Sequence, residues 1–303
     1  MKLKSIIVEL TAGENDKGRR LDRILRKALP DHPLPLLHRL LRQGQVLVNG
    51  KPAKARDRLN DGDRIKIPLT KEDKKPPVLN RPLPSPDILW QGLGLLAVNK
   101  PAGLSVHGKD SLDTMVRSFL AEKLPPSLSF KPGPLHRLDK PSSGIVVFSS
   151  SIEGARLFSS ILQQRKARKT YLAIVEGIVE KEEILEDRLV RDKDKKKTFV
   201  SHKNTEKGKN AVTVIKSISV SGGCSLITAE IATGRTHQIR AQAASRGHPL
   251  LGDRKYGSKK AESFFLHAWK MEFSDIYIEA PLPDEFYKKI EELFGKKILR
   301  ELS

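Results

Sequence analysis

The stretch LHRLDKPSSGIVVF, residues 135–148, has the most informative pattern in this 303-residue sequence. Its first part is polar and contains a proline, whereas residues 145–148 form a continuous apolar run, which predicts a loop leading into a buried strand. Asp139 lies in the loop between Arg137 and Lys140, and cations at close range favour the ionised form of a carboxylate. A loop anchored in a sheet gives a reactive side chain a rigid mounting. The stretch therefore offers a candidate catalytic aspartate, although a short motif of this kind is more often a turn or a surface ion pair.

The sequence on both sides of this stretch predicts strands and helices of a mixed domain. Residues 95–99 and 170–175 are apolar runs typical of buried strands, and the second run contains Tyr171. Residues 236–245 predict a short helix with Thr236 as its N-cap. The segment 281–302 has apolar residues at helical spacing and is expected to pack as ordinary core.

Five blocks of sequence, taken with the aspartate motif, resemble one known enzyme family. His136-Arg137-Leu138-Asp139 followed by Ser142-Ser143-Gly144 is similar to the catalytic motif of the RluA-type pseudouridine synthases, which act chiefly on ribosomal large-subunit RNA and sometimes on transfer RNA. The blocks that agree in order are NKPAGL at 99–104, KTYLAIVEG at 169–177, GRTHQIR at 234–240, GHPLLGD at 247–253 with Tyr256-Gly257, and LHA at 266–268. Each block is weak by itself, but together they span nearly all of residues 95–270.

The resemblance implies a role for four residues. Asp139 matches the catalytic aspartate, Arg240 the cation that pairs with it, and Tyr171 the aromatic residue beside the uracil. Arg137 matches the residue that helps to displace the target base. Extruding a stacked base costs roughly a few kcal/mol, and a side chain inserted in its place can offset part of this cost. The flat ring of Tyr171 can stack on a flipped pyrimidine, although a tyrosine in a buried strand can also be plain core.

Three further residues are candidates for substrate binding. They are His136, Arg235 and His237. For Arg235 and His237, contact with an RNA phosphate at the start of a basic helix is an equally good interpretation. Gln242 occupies a position where many relatives carry a histidine. The resemblance therefore does not decide how this helix contacts the substrate.

The implied reaction needs no cofactor. The bond between uracil N1 and the ribose anomeric carbon breaks, the base rotates, and its C5 rejoins the same carbon without a redox change. Asp139 could attack the sugar, attack the base or abstract a ribose proton. The eight histidines are dispersed and none forms a paired ligand motif, so no metal is expected.

The sequence of the N-terminal region predicts a small RNA-binding module. Residues 21–28 and 36–41 have helical apolar spacing, and Asn49-Gly50 predicts a hairpin turn. The region resembles the RNA-binding domain named after ribosomal protein S-four, although a generic helix-hairpin module with solvated cations would have a similar pattern. Its candidate RNA contacts are Arg39, Arg42, Lys51 and Lys54.

Composition points to a polyanionic partner. The formal net charge is +20, and a basic excess of this size favours nucleic acid through counterion release, so the expected partner is structured RNA, first of all large-subunit ribosomal RNA. The one cysteine, Cys224, excludes an intrachain disulfide. No apolar window reaches membrane-spanning length. We therefore expect a cytoplasmic protein without a membrane partner, acting as a monomer.

These observations predict an α+β fold with three regions. Residues 1–68 form the helix-hairpin RNA-binding domain, residues 69–86 a proline-rich linker, and residues 87–303 the catalytic domain, a mixed, largely antiparallel sheet flanked by helices. The sheet topology follows from the resemblance alone. The charged stretch 181–210 predicts an exposed basic hairpin or loop that either contacts RNA or is simply solvated.

Other functions are compatible with parts of the pattern. A non-catalytic RNA-binding ribosome-assembly factor could keep the fold, but binding alone does not need Asp139, Tyr171 and Arg240 together. A nucleic-acid glycosidase would cleave the same bond with water. A synthase of transfer RNA would use the same residues on another substrate.

Overall fold

The computed structural model describes residues 6–69, 84–192, 194–201, 208–258, 260 and 263–302. Contacts within the chain divide it into two compact units. The first unit comprises Met1–Ser85, Val116–Gly133 and Ser150–Ile152, and the second comprises Pro86–Met115, Pro134–Ser149 and Glu153–Ser303. Residues 70–83 of the expected linker lie outside the described residues, so the division at 1–68, 69–86 and 87–303 stays a prediction.

The described residues form the following elements. The helices are α1 (Leu21–Ala28), α2 (Leu34–Arg42), α3 (Leu112–Ala121), α4 (Ile152–Gln163), α5 (Gln238–Ser245), α6 (Asp284–Phe294) and α7 (Lys296–Leu302), with a 3-10 turn at Glu14–Asp16. The first strands are β1 (Ile6–Thr11), β2 (Leu47–Val48), β3 (Lys51–Pro52), β4 (Arg64–Leu69), β5 (Asp87–Gly92), β6 (Leu95–Lys100), β7 (Gly133–Pro134) and β8 (Ser143–Ser149). The remaining strands are β9 (Arg168–Glu176), β10 (Glu183–Asp192), β11 (Lys197–Val200), β12 (Lys209–Ser221), β13 (Cys224–Ile231), β14 (Leu266–Phe273) and β15 (Ile276–Glu279).

The N-terminal part of the first unit combines two helices with a small antiparallel sheet of order β1-β4-β2-β3. Helices α1 and α2 bury the apolar residues that recur at helical spacing, among them Ile24 and Leu40. Asn49 and Gly50 have φ angles of 50° and 81°, as a two-residue hairpin turn with left-handed central residues requires. The predicted helices and hairpin of this module are thus confirmed.

Asp16 joins the N-terminal module to residues 127–129 within the first unit. Its carboxylate accepts hydrogen bonds from the amides of Leu128 at 2.8 Å and Ser129 at 3.0 Å, and from the hydroxyl of Ser127 at 3.0 Å. Asp16 is fully buried, so each of these bonds satisfies a group that burial would otherwise penalise. This explains why the first unit includes a segment that the sequence assigned to the catalytic domain.

The second unit is built on one large mixed sheet. Its strands follow the order β11-β10-β12-β13-β9-β14-β8-β6-β5, with β15 paired to β14 and β7 to β8. Strands β8 and β14 run parallel, whereas the other neighbours along this path are antiparallel. Strand β8 lies inside the sheet between β14 and β6 and is buried along its whole length, as its continuous apolar run predicts.

Two apolar clusters cover the sheet. One packs Phe158 of α4 against strand residues such as Val147, and the other packs Phe286 and Ile290 of α6 against strand residues such as Leu172. The expectation for the C-terminal segment is confirmed, because α6 and α7 contribute to this second cluster. The fold is α+β with a largely antiparallel mixed sheet, as predicted. Among the described residues, no helix has the length and apolarity needed to cross a membrane.

Candidate active site

A cavity of about 450 Å³ lies in the second unit beside β9 and the loops that precede β8 and α5. Its volume is in the range of a small-molecule or base-binding pocket. It is lined by six of the residues singled out in the sequence, namely His136, Arg137, Asp139, Tyr171, Arg235 and His237. Arg240 lines a smaller adjoining pocket of about 60 Å³, which Asp139 and Tyr171 also line.

Strand register brings the loop of Asp139 next to Tyr171. Ala268 of β14 pairs with Gly144 on one side and with Tyr171 on the other. Gly144 has a φ of 105°, and a side chain there would overlap the backbone of Ala268. Glycine is therefore required at this position, and the loop that carries Asp139 is held directly against the central sheet.

Arg240 is held between two carboxylates. Its Nη1 donates to Asp139 Oδ2 at 2.8 Å, while Nε and Nη2 donate to the two oxygens of Asp253 at 2.7 and 2.9 Å. The Tyr256 and Phe264 rings lie 5.0 and 5.1 Å from its guanidinium carbon. Burial opposes the charge of Arg240, but both carboxylates outweigh it and raise the pKa of the guanidinium.

The cation beside Asp139 is therefore supplied by tertiary structure and not by its neighbours in sequence. The side chains of Arg137 and Lys140 are exposed and make no ion pair with Asp139 within the described part of the chain. The expectation that Arg137 and Lys140 lie close to the carboxylate of Asp139 is wrong, because both side chains are exposed and its charged partner is Arg240. Asp253 was also missed, although it lies in the matching block 247–253.

His237 is the second group beside the aspartate. Its Nε2 lies 3.7 Å from Asp139 Oδ2, and its Nδ1 lies 3.0 Å from the hydroxyl of Tyr256. That hydroxyl can donate to the carbonyl of Thr198 and accepts from the Thr198 amide, so Nδ1 of His237 is the donor. Burial lowers the pKa of His237, the charge of Asp139 opposes this shift, and the charge of Arg240 adds to it.

The loop before α5 is held by glutamines. Gln238 Oε1 accepts from the amide of Arg235 at 3.0 Å and from the hydroxyl of Thr233 at 2.8 Å. His237 takes the N-cap position with a φ of 54°, so the prediction that Thr236 caps this helix is wrong. Gln242 is fully buried and bonds to Thr213 Oγ1 at 2.7 Å, so it anchors the helix to the sheet and does not reach the cavity.

Tyr171 and Lys169 point to the same face of β9, since alternate residues of a strand share a face. Both line the cavity. Tyr171 is 8% exposed, and burial together with the charge of Asp139 raises the pKa of its phenol well above the ordinary value. The ring therefore stays neutral and offers an apolar surface with a hydroxyl at its end.

His136 has a structural bond in addition to its place in the cavity wall. Its Nε2 accepts from the amide of Val147 at 3.0 Å, and its ring stacks on Phe158. Because Nε2 is an acceptor, the neutral ring carries its proton on Nδ1. Burial, with a smaller contribution from the charge of Lys169, lowers the pKa of His136 to about 3. The ring is thus neutral at physiological pH.

Lys100 is a positioning group that the sequence did not single out. It is fully buried, and its Nζ donates to the carbonyls of Pro101, Leu104 and Lys140 at 2.8, 2.8 and 3.2 Å. Burial lowers the pKa of Lys100 to about 8, partly offset by Asp139. The lysine ties the loop after β6 to the residue that follows Asp139. Its only signal in the sequence is a place in the block 99–104.

The candidate RNA-binding residues of the first unit lie on the surface. Arg39 and Arg42 are in the last turn of α2, and Lys51 and Lys54 follow the hairpin turn; all four are exposed. In the second unit, β10 and β11 form the hairpin predicted within 181–210, although residues 193 and 202–207 lie outside the described part. Its Arg191 donates to Thr236 Oγ1 at 3.1 Å.

The chemistry available here is that of one carboxylate, several cations and an aromatic ring. Asp139 is bound by Arg240 through one oxygen, and it still lines the cavity. Such a carboxylate can act as a nucleophile or a base. Within the described ranges, no group of three or more His, Cys, Asp or Glu side chains is placed to hold a metal ion.

Comparison with known proteins identifies related families for both parts of the chain. The family model for RNA pseudouridylate synthase matches residues 94–245, and the S4 domain model matches residues 19–65. The chain is 32% identical to ribosomal large subunit pseudouridine synthase D of Neisseria meningitidis, over 89% of this chain and 77% of that protein. It is 30% identical to the uncharacterized RNA pseudouridine synthase YlyB of Bacillus subtilis, over 94% and 98%.

Solved structures agree at the level of the fold. Human RNA pseudouridylate synthase domain containing 4 superposes with a TM-score of 0.59 at 23% identity, over 68% of this chain and 93% of that one. The family model covers the loop of Asp139, strand β9 and the loop before α5, all of which line the cavity. The chain described here belongs to the RNA pseudouridylate synthase family and carries an N-terminal S4 domain.

Proposed function

We propose that this protein isomerises specific uridines of large-subunit ribosomal RNA to pseudouridine, with Asp139 as the catalytic carboxylate. The observation that carries the proposal is the position of Asp139, which is paired with Arg240 at 2.8 Å and lines a cavity of base-sized volume. Relatives named ribosomal large subunit pseudouridine synthase, such as synthase D of Neisseria meningitidis and synthase C of Vibrio vulnificus, support this choice of RNA.

Each lining residue takes part in a different step. Arg137 is exposed at the mouth of the cavity and occupies the space of the extruded uridine in the RNA stack. Tyr171 stacks on the flipped uracil. Asp139 then acts on the sugar or the base, and the buried pair with Asp253 keeps Arg240, and through it Asp139, in a defined orientation.

The remaining polar residues hold the substrate and the RNA. His136, Arg235 and His237 bind the nucleotide and its phosphates around the cavity. In the first unit, Arg39, Arg42, Lys51 and Lys54 contact RNA phosphates, and their exposure on one helix end and hairpin supports this.

The proposal includes a domain division, an oligomeric state and a cellular location. Residues 1–68 form the RNA-binding domain, 69–86 the linker and 87–303 the catalytic domain. All residues that line the cavity belong to the second unit of the chain, which supports action as a monomer. Its substrate places it in the cytoplasm, where ribosomal RNA is used, and no redox or metal cofactor takes part.

The test is pseudouridine mapping of total RNA from the organism that encodes the chain. A deletion strain is rescued with the intact protein or with Asp139→Ala. We expect the loss of a discrete large-subunit site that only the intact protein restores. A lost site in transfer RNA would reassign the substrate. Unchanged modification in all RNAs would favour the non-catalytic RNA-binding factor.

A further inference from the structure

Lys169 is a half-buried lysine in the wall of the cavity, and no role has been given to it so far. It lines the cavity two residues before Tyr171 on the same face of β9. Its ammonium makes no hydrogen bond or ion pair to the side chains and backbone that the structure describes, and burial lowers its pKa. Holding an ammonium there without a counter-charge costs free energy, which indicates that a negative charge arrives when substrate is bound.

The other cations of the cavity are differently placed. Arg137, Arg165 and Arg235 line it but are exposed, as suits side chains that meet phosphates at the rim. Arg240 is already engaged by two carboxylates. The nearby His136 ring is neutral, so among the cavity residues Lys169 is the cation positioned to face the base.

The reaction moves one negative charge from the protein to the base. If Asp139 attacks the anomeric carbon, a sugar ester forms and the electron pair of the broken glycosidic bond goes to uracil N1. If Asp139 takes the ribose 2′ proton, it becomes a neutral acid, a glycal forms, and uracil again leaves as the anion. If Asp139 attacks C6 of uracil, the electron pair moves to O4. In all three routes the carboxylate loses its charge and the uracil gains it.

We propose that Lys169 is the catalytic cation that stabilises the negative charge on uracil when the glycosidic bond breaks. Its ammonium binds a carbonyl oxygen of the departing base, where the N1 electron pair is delocalised. A fixed charge at the site where charge develops is an effective form of catalysis, and removing one such group costs roughly 10²- to 10³-fold in rate. The proposal rests on the function proposed above, with Asp139 as the group that gives up its charge.

The test compares two substrates in single-turnover reactions of the full-length protein. Large-subunit ribosomal RNA is transcribed with uridine or with 5-fluorouridine. After digestion to nucleosides, consumption of the target nucleoside is followed by chromatographic separation, because uridine and pseudouridine have the same mass. Fluorine at C5 stabilises the departing anion and so reduces the need for a cation. The variants are Lys169→Met and Lys169→Arg. The matched control is Lys166→Met, which removes the same charge from an exposed position outside the cavity.

We expect Lys169→Met to lower the rate about 100-fold with uridine and much less with 5-fluorouridine. Lys169→Arg should retain more activity than Lys169→Met, and Lys166→Met should match the wild type. The RNA Kd of Lys169→Met should be unchanged, since the lysine makes no RNA backbone contact. Its thermal midpoint should be no lower than that of the wild type, since the unpaired ammonium costs free energy in the folded state.

Three results would overturn the inference. The first is an equal loss of rate with both RNAs, and the second is no loss of rate. The third is a weaker RNA Kd whose salt dependence falls by about one unit of slope, which would identify Lys169 as a phosphate contact. An inactive wild type, or an active Asp139→Asn, would instead contradict the proposed function, and this inference with it.

Discussion

Asp253→Asn tests whether the buried arginine is what holds Asp139, the proposed catalytic carboxylate, in place. Asp253 is 1% exposed, and its two oxygens accept hydrogen bonds from Arg240 at 2.7 and 2.9 Å. The substitution keeps the shape of the side chain but replaces one acceptor with an amide that would face the guanidinium. Arg240 then loses one of its two counter-charges in a buried position.

The magnitude follows from the geometry of the pair. Removing one partner of a buried ion pair costs about 3–5 kcal/mol. Asp139 remains 2.8 Å from Nη1 of Arg240, so the loss should be near the lower end, about 3 kcal/mol. For a domain of 150–250 residues this corresponds to a fall of about 6–12 °C in thermal midpoint. Activity should fall about 100-fold, since a small misplacement of a reacting group has such an effect.

The assay is thermal denaturation of the full chain together with pseudouridine formation in transcribed ribosomal RNA. The matched control is Asp139→Asn, which leaves Arg240 paired with both oxygens of Asp253 and removes a carboxylate that is more exposed than Asp253. It should lower the free energy of unfolding less than Asp253→Asn does, while abolishing activity. A stable and fully active Asp253→Asn protein would refute the reasoning.

Three other predictions concern groups outside this pair. Burial lowers the pKa of His267 from 6.5 to about 4, so the unfolded chain binds a proton at this residue before the folded chain does as the pH falls. Urea denaturation should therefore show about 3 kcal/mol less stability at pH 4 than at pH 6.5. The loss should be smaller in His267→Gln. Burial lowers the pKa of Lys100 from 10.5 to about 8, so the unfolded chain binds more protons in that window; the free energy of unfolding should rise with pH there by about 3 kcal/mol, a rise absent in Lys100→Met. Replacing Arg39 and Arg42 by alanine should weaken RNA binding and lower its salt slope by about two, measured by titration at several salt concentrations.

Local patterns in the sequence predict much of the local structure. The turn Asn49-Gly50 requires left-handed backbone and has it, and the apolar run 145–148 is a buried strand. These features depend on neighbouring residues only, which is why propensity and periodicity are enough to find them.

The side-chain contacts within the site were harder to predict from the sequence. Arg240 was expected beside Asp139 from the family resemblance, but its second partner Asp253 was not, and neither was Lys100 under the loop. These contacts join positions far apart in the chain through strand register, and a single sequence carries no record of that register. The mistaken cap at Thr236 has a similar origin, because the side chain of Gln238 holds the loop and displaces the helix start to His237.

The most direct test of the account is release of tritium from ribosomal RNA transcribed with uridine labelled at C5. Isomerisation bonds C5 to the sugar and sends its hydrogen to solvent, so each turnover releases one label. The account predicts release by the wild type and none by Asp139→Asn, with the same RNA Kd for both proteins and both folded at the assay temperature. Release by Asp139→Asn at the wild-type rate would contradict the claim that Asp139 is the catalytic carboxylate.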